Sequence, residues 1–137
     1  MRVLALDYGS ARCGVAVSDP TGTLATPLDP VLQPGTRKGL RRVAALVAEL
    51  GAERVIVGLP LSLSGADSAQ TAETRAFAER LGAAVAVPVE LYDERFTTRL
   101  AGQAGGRTAS LDSRAAAVLL DEWLTVSGDL PIEGRTD

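Results

Sequence analysis

Asp7, the adjacent pair Asp93 and Glu94, and Asp112 are the residues whose type and setting point to chemistry. Asp7 ends the apolar run Val3-Leu-Ala-Leu6, where an ionised carboxylate is expensive to desolvate unless it is paired, hydrogen-bonded or bound to a metal. Asp93 and Glu94 close a second apolar segment, and Asp112 falls on the inward stripe of the last helical segment. The chain has no histidine, which removes histidine-bound zinc, Ser-His-Asp triads and imidazole bases and leaves carboxylates, hydroxyls and Arg to act. A cation held by such groups would be oxygen-bound, magnesium or manganese. A plainer reading stands beside this one: Asp7 starts a turn and accepts hydrogen bonds from the amides of Gly9 or Ser10.

The elements that must position these acids follow from periodicity. Val3 to Asp7 reads as a buried strand that breaks at Gly9 and returns as a second strand, Gly14 to Ser18; glycine at both places lets another backbone or a ligand oxygen come close. Asp19-Pro-Thr-Gly22 has turn chemistry and predicts a third antiparallel strand over Thr23 to Leu28, with Pro27, Pro30 and Pro34 at the edge and exit of the sheet. Thr36 is placed to cap a helix whose apolar positions run from Leu40 to Leu50, stopped by Gly51. The opposite face of that helix carries Arg37, Lys38, Arg41 and Arg42, either a solvated face or one that receives phosphates.

Arg54 to Pro60, apolar throughout after its arginine, reads as a central parallel strand. The loop Leu61 to Gly65 leads to a helix over Ala66 to Leu81, with Ala69, Ala72, Phe77 and Leu81 on one side and Gly82 at its end. Val87 to Glu94 is a second parallel strand in which alternation sends Asp93 and Glu94 to opposite faces, so at most one looks at a given site. A short helix, Phe96 to Gln103, and a loop, Gly105 to Thr108, precede the last helix, Leu111 to Val126, with Ser110 as N-cap. At about 100° per residue Asp112 lies within about 20° of Leu119 and Trp123, while Asp121 points away.

This order, with right-handed crossovers, predicts an α/β fold with a five-stranded mixed sheet, order 3-2-1-4-5, flanked by helices. Asp7 then ends the central strand, at the rim where ligands gather. Residues 1–126 form one domain in this reading and 127–137 a disordered tail. The length supports a single core. The one cysteine, Cys13, cannot form an internal disulfide and fits a reducing compartment. No run of about 18 apolar residues is present, so a soluble, cytoplasmic protein with no membrane partner is expected. A net charge of −3 argues against a protein-wide positive field, though not against a local basic groove.

Four short words, in order, carry a likeness: Leu6-Asp-Tyr-Gly9 with Gly14-Val-Ala-Val-Ser-Asp19; Val57-Gly-Leu-Pro60 with Gly65; Asp93-Glu-Arg-Phe-Thr-Thr98; and Asp112-Ser-Arg-Ala-Ala116. On these the chain resembles the YqgF family, also called RuvX, of the RNase H-like superfamily. The resemblance implies a metal-dependent nuclease that uses Mg2+ or Mn2+. For the family this activity is described either as Holliday junction resolution or as trimming of the 5′ end of pre-16S ribosomal RNA. Carried over position by position, it makes Asp7, Glu94 and Asp112 the catalytic, metal-binding acids, a choice of Glu94 over Asp93 that alternation alone leaves open.

The nucleic-acid partner would be precursor rRNA or branched DNA. The basic residues proposed to touch its phosphates are Arg12, Arg95 and Arg107; Arg95 could equally pair with its acidic neighbours. Lys38 is the only lysine, and Ala11-Arg12 stands where the family usually has a basic pair. A junction resolvase would suit a two-fold homodimer, although no dimer face is legible. Two other classes compete. An ATP-handling protein with a similar strand-hairpin opening would need a second such domain, and a catalytically inactive nucleic-acid-binding or scaffold protein of the same fold would use the acids only to cap and pair.

Overall fold

The first strand is buried on both sides, which sets the layering of the whole molecule. The structure, a computed structural model, describes residues 1–59, 69–93 and 111–128, the side chains of 111, 112, 127 and 128 excepted. In β1 (Val3–Asp7) the first four residues have no exposed surface. Leu4 and Leu6 point to one side, into a core with Val43, Val47, Phe77 and Leu81; Val3 and Ala5 point to the other, against Ala116, Ala117, Leu119 and Leu120. The first core is covered by α1 (Arg37–Glu49) and α2 (Ala69–Ala84), the second by α3 (Leu111–Gly128).

β1 pairs antiparallel with β2 (Arg12–Ser18), Asp7 opposite Gly14, and parallel with β4 (Arg54–Leu59), Leu6 opposite Val57. β3 (Ala25–Leu32) lies outside β2, and β5 (Val89–Asp93) lies parallel to β4 with Asp93 opposite Leu59. The order β3-β2-β1-β4-β5 is the predicted one. Cys13 is buried and unpaired by disulfide.

Several boundaries differ from the sequence expectation. β3 continues past Leu28 to Leu32, through Pro27 and Pro30; proline is tolerated on an edge strand and at bulges, and Pro30 lies where the pairing with β2 shifts register between Leu28 and Val31. α2 passes through Gly82 to Ala84, with the Val85 amide donating to the Leu81 carbonyl at 3.1 Å. Its buried positions include Thr71 and Thr74, whereas Ala69 and Ala72 are exposed. Alanine is too small to fix which way a helix faces, and Thr74 buries its hydroxyl satisfied by the Gln70 carbonyl at 2.8 Å. β5 starts only at Val89, after the Pro88 carbonyl accepts from the Val55 amide. α3 runs two residues into the expected tail. The loop 61–65, the Ser110 cap, the helix at 96–103 and the loop at 105–108 lie outside the described residues.

Both ends of α1 are built as read. Thr36 Oγ1 accepts from the Gly39 amide at 3.0 Å while donating to the Gln33 carbonyl at 2.8 Å. Gly51 takes a φ of +65° and the Ala52 amide returns to the Val47 carbonyl at 3.0 Å, a helix stop that favours glycine. Gln33 has a φ of +46° and carries its carbonyl against Gly39, where a Cβ would overlap it and come within 2.7 Å of Pro34 Cα. Gly39→Ala is therefore expected to destabilise the fold by about 1–3 kcal/mol, as overpacking does, read as a lower urea midpoint at unchanged slope. A midpoint equal to wild type would show that this wedge is absent.

Candidate active site

The residues at the carboxyl end of β1 are placed by alternation. Leu6 and Tyr8 face α1 and α2, so Asp7, half-buried, faces α3. Cys13 and Val15 likewise face α1 and α2, which puts Arg12, exposed, on the α3 side of the same hairpin. Among the sequence-predicted residues these two are brought to one corner, on the two strands of a single hairpin.

α3 reaches that corner through one hydrogen bond. The ladder between β2 and β3 shifts register between Cys13 and Val15. At that irregularity the Val15 amide donates to Ser113 Oγ at 3.2 Å, and Ser113 is completely buried. Val15 is the residue after Gly14, the cross-strand partner of Asp7. The first turn of α3, which includes position 112, is thus anchored to β2 next to the cross-strand partner of Asp7; the Asp112 side chain lies outside the described residues. The far end of α3 is anchored as well. Trp123 Nε1 donates to Glu90 Oε1 at 2.9 Å, Glu90 pairs with Arg54, and the Arg54 guanidinium lies 6.0 Å from the centre of the indole.

Glu90 and Tyr92 of β5 face α3, and Tyr92 packs against its core. Asp93 therefore belongs to the other face, away from that of Asp7. Glu94, Arg95 and Arg107 lie outside the described residues. Among the described residues no three acidic, cysteine or histidine side chains form a cluster that could hold a metal. What is described suits a hard cation in kind: Asp7 offers oxygen at the end of a rigid strand, in a chain without imidazole.

Sequence reasoning missed Glu73. From α2 it accepts the Tyr8 hydroxyl at 2.6 Å and the Ser10 hydroxyl at 3.0 Å, tying the β1–β2 hairpin to the helix on the opposite face from α3. Gln70 Nε2 adds a bond to the Tyr8 carbonyl at 3.4 Å. Tyr8, Ser10 and Glu73, with Gly35, Phe77 and Arg80, border a cavity of about 340 Å³. An exposed glutamate on a helix gave no signal, because its partners lie more than 60 residues away in the chain.

Burial first, then the hydrogen bond to Glu73, pushes the Tyr8 phenol up to about 12. Burial also raises Tyr92, with Glu122 and Asp93 adding to it. Both keep the neutral phenol in the folded state beyond the ordinary value near 10. The contribution of Tyr8 to stability is full below pH 10 and is lost as the pH climbs towards 12, and that of Tyr92 is likewise lost above pH 10. Tyr8 and Tyr92 are the only tyrosines. Ultraviolet titration of the native protein should show little phenolate at pH 10, and Tyr8→Phe should flatten the alkaline loss of stability; half-ionised native tyrosine at pH 10 would contradict both. Ser113→Ala leaves the Val15 amide buried without its acceptor and is expected to destabilise by about 1–3 kcal/mol in denaturant unfolding. A change under about 0.5 kcal/mol, the ordinary surface range, would deny that bond its anchoring role.

A sequence model of the RuvX family, described as Holliday junction resolvase, matches residues 1–126. A protein of Leifsonia xyli subsp. xyli named "Putative pre-16S rRNA nuclease" is 43% identical over 129 residues, covering 88% of this chain and 83% of its own. One of the same name from Mycobacterium leprae is 46% identical over 132 residues, covering 90% and 72%. Among solved structures, Thermus thermophilus RuvC bound to a Holliday junction substrate superposes with a TM-score of 0.57 at 19% identity, over 94% of this chain and 97% of that one. Fowlpox virus resolvase with junction DNA gives 0.58 at 13%, over 95% and 100%. At such identities the likeness establishes a shared RNase H-like fold and nothing more. The sequence matches go further, and on them the chain belongs to the RuvX (YqgF) family.

Proposed function

We propose that this chain is a metal-dependent nuclease that hydrolyses phosphodiester bonds, with Asp7, Glu94 and Asp112 as its catalytic acids and residues 1–126 as one nuclease domain. The observation that carries the reading is the Ser113–Val15 hydrogen bond, which fixes the first turn of α3 beside the Asp7–Gly14 pair. Glu94 is favoured over Asp93 because Tyr92 lies on the α3 side, and 94 is the next residue of that parity.

Those three acids would hold Mg2+ or Mn2+, which when bound lowers the pKa of a water and stabilises charge on the departing oxygen. The chain's own part is positional. Asp7, half-buried, ends a strand packed between two cores, so its backbone presents the carboxylate from a preset place. Arg12, on the same face, is placed to draw a phosphate towards it, with Arg95 and Arg107 in the same role; Arg holds phosphate oxygens in a bidentate fork.

Pre-16S rRNA is the first choice of substrate, because relatives that match over most of both chains bear that name. Holliday junction DNA is the second, from the description of the family itself, and would require a homodimer to cut opposed strands. Action in the cytoplasm agrees with either; no helix among the described residues is long and apolar enough to cross a membrane.

The test is cleavage of precursor rRNA and of four-way DNA side by side, with Mg2+ and with Mn2+. Asp7→Asn should lower the rate by at least about 10²-fold while the far-ultraviolet spectrum and unfolding midpoint hold. Cleavage undiminished in Asp7→Asn would remove the acids from the mechanism. No cleavage of either substrate by wild type would leave the inactive binding protein as the better account.

A further inference from the structure

α1 opens with Arg37 and Lys38 and continues with Arg41 and Arg42 one turn later. All four side chains are exposed, and the buried positions Gly39, Val43 and Val47 lie on the opposite side of the helix. This placement works against local stability in two ways. Cations near a helix N-terminus oppose the helix dipole, and no acid occupies the first turn to offset them. Arg37 with Arg41, and Lys38 with Arg42, are like charges at i, i+4, which repel. Among the described residues the only ion pair on this face is Arg42 with Glu49, 3.6 Å apart and more than half exposed on both sides. A chain of net charge −3 thus gathers four of its 14 basic residues within six positions.

The patch is also held rigidly to the candidate active-site rim. The helix connects β3 to the start of β4, so its N-terminus lies at the same end of the sheet as Asp7. Gln33, in its left-handed conformation, takes the Ala11 carbonyl with its amide at 2.9 Å and the Thr36 amide with its carbonyl at 3.1 Å. Ala11 belongs to the hairpin that carries Asp7 and Arg12. Beside the patch a groove of about 640 Å³ runs between α1 and the outer half of β3, with Lys38 and Arg42 on one wall, Leu32 and Pro30 on the other, and Asp29 the one acid among the described residues that line it.

We infer that the exposed face formed by Arg37, Lys38, Arg41 and Arg42 is a binding site for the phosphodiester backbone of the RNA strand that continues from the cleavage point, over the hairpin tip and onto α1. This deepens the nuclease reading and rests on it. Rows of cations about 6 Å apart along a helix suit a chain of regularly spaced phosphates, and a helix start anchored through Gln33 and Thr36 lowers the ordering cost of binding. The leucine and proline wall gives the sugars and bases an apolar side.

The test compares wild type with Arg37→Gln/Lys38→Gln/Arg41→Gln/Arg42→Gln, in the full chain, on a labelled single-stranded RNA spanning the pre-16S 5′ end. The slope of log K against log salt should fall by about 2–3, at roughly 0.7 for each phosphate of a single strand that is no longer neutralised. Affinity near 0.1 M salt should weaken by about tenfold or more, and the rise in KM should exceed any fall in kcat. The charge-conserving variant Arg37→Lys/Arg41→Lys/Arg42→Lys should keep the wild-type slope. If the fourfold variant is misfolded by circular dichroism, the two pairwise variants, Arg37→Gln/Lys38→Gln and Arg41→Gln/Arg42→Gln, should each give about half the change. Wild type that binds and cleaves RNA with the same slope and KM as the neutral variants overturns this inference and leaves the nuclease reading standing. A slope change seen on four-way DNA but not on RNA overturns the assignment to an RNA strand. Wild type that binds no nucleic acid sinks both.

Discussion

The buried hydrogen bond from the Val15 amide to Ser113 Oγ is the constraint on which the geometry of the rim depends. β2 leaves its ladder with β3 at the Cys13–Val15 register shift. A buried amide left without an acceptor at that point would be costly, so the helix that supplies the hydroxyl is held at a defined height over the sheet. Trp123 and Glu90 do the same at the opposite rim. Two anchors on a helix of 18 residues fix both its slide along the strands and its rotation about its own axis. A matching bond, from the Val3 amide to Ser18 Oγ at 2.8 Å, holds the other end of the β1–β2 pair.

Around this frame the polar groups divide by rim. At the amino end of the parallel strands, Asp19 holds the turn between β2 and β3. It accepts from the Thr21 hydroxyl and the Leu24 and Thr23 amides, which hold its carboxyl well below the usual range, and it closes the turn at Gly22. At the carboxyl end, α3 comes from one face with position 112 and α2 from the other with Glu73, and they grip the same hairpin from both sides. The Glu73 bonds to Tyr8 and Ser10 limit how far the turn after Asp7 can swing. Gly35 makes room for them, since a Cβ there would lie 2.7 Å from the Tyr8 hydroxyl.

The sheet order was legible because each strand announced itself by a distinct pattern: uniform apolar runs for β1 and β4, turn residues between β1, β2 and β3, and prolines on the edge. Thr36 and Gly51 marked the limits of α1 because capping depends on only a few neighbouring residues. Asp7 stood out for the same local reason, an acid ending an apolar run. What escaped were features set by distant partners. The stripe of α2 escaped because small alanines carry no orientation and two threonines turn inward, Thr74 with its hydroxyl on the Gln70 carbonyl. Glu73 was invisible because its meaning comes from Tyr8, and Ser113 because a serine in a first helical turn is ordinary until its oxygen is seen on a strand amide. Asp93 and Glu94 could not be separated by residue type; the packing of Tyr92 against α3 sends Asp93 to the other face, and Glu94 lies outside the described residues.

In the proposed nuclease, acids distant in sequence, Asp7, Glu94 and Asp112, hold divalent metal at the rim where β1 ends and α3 begins. Paramagnetic broadening of backbone amide signals by Mn2+, titrated into the uniformly labelled protein, reads that location without requiring activity. The account predicts broadening centred on residues 7–9, 14–15, 93–95 and 112–114, displaced by excess Mg2+ and abolished in an Asp112→Asn protein that is otherwise folded. Broadening centred elsewhere, or persisting unchanged in that variant, would contradict it.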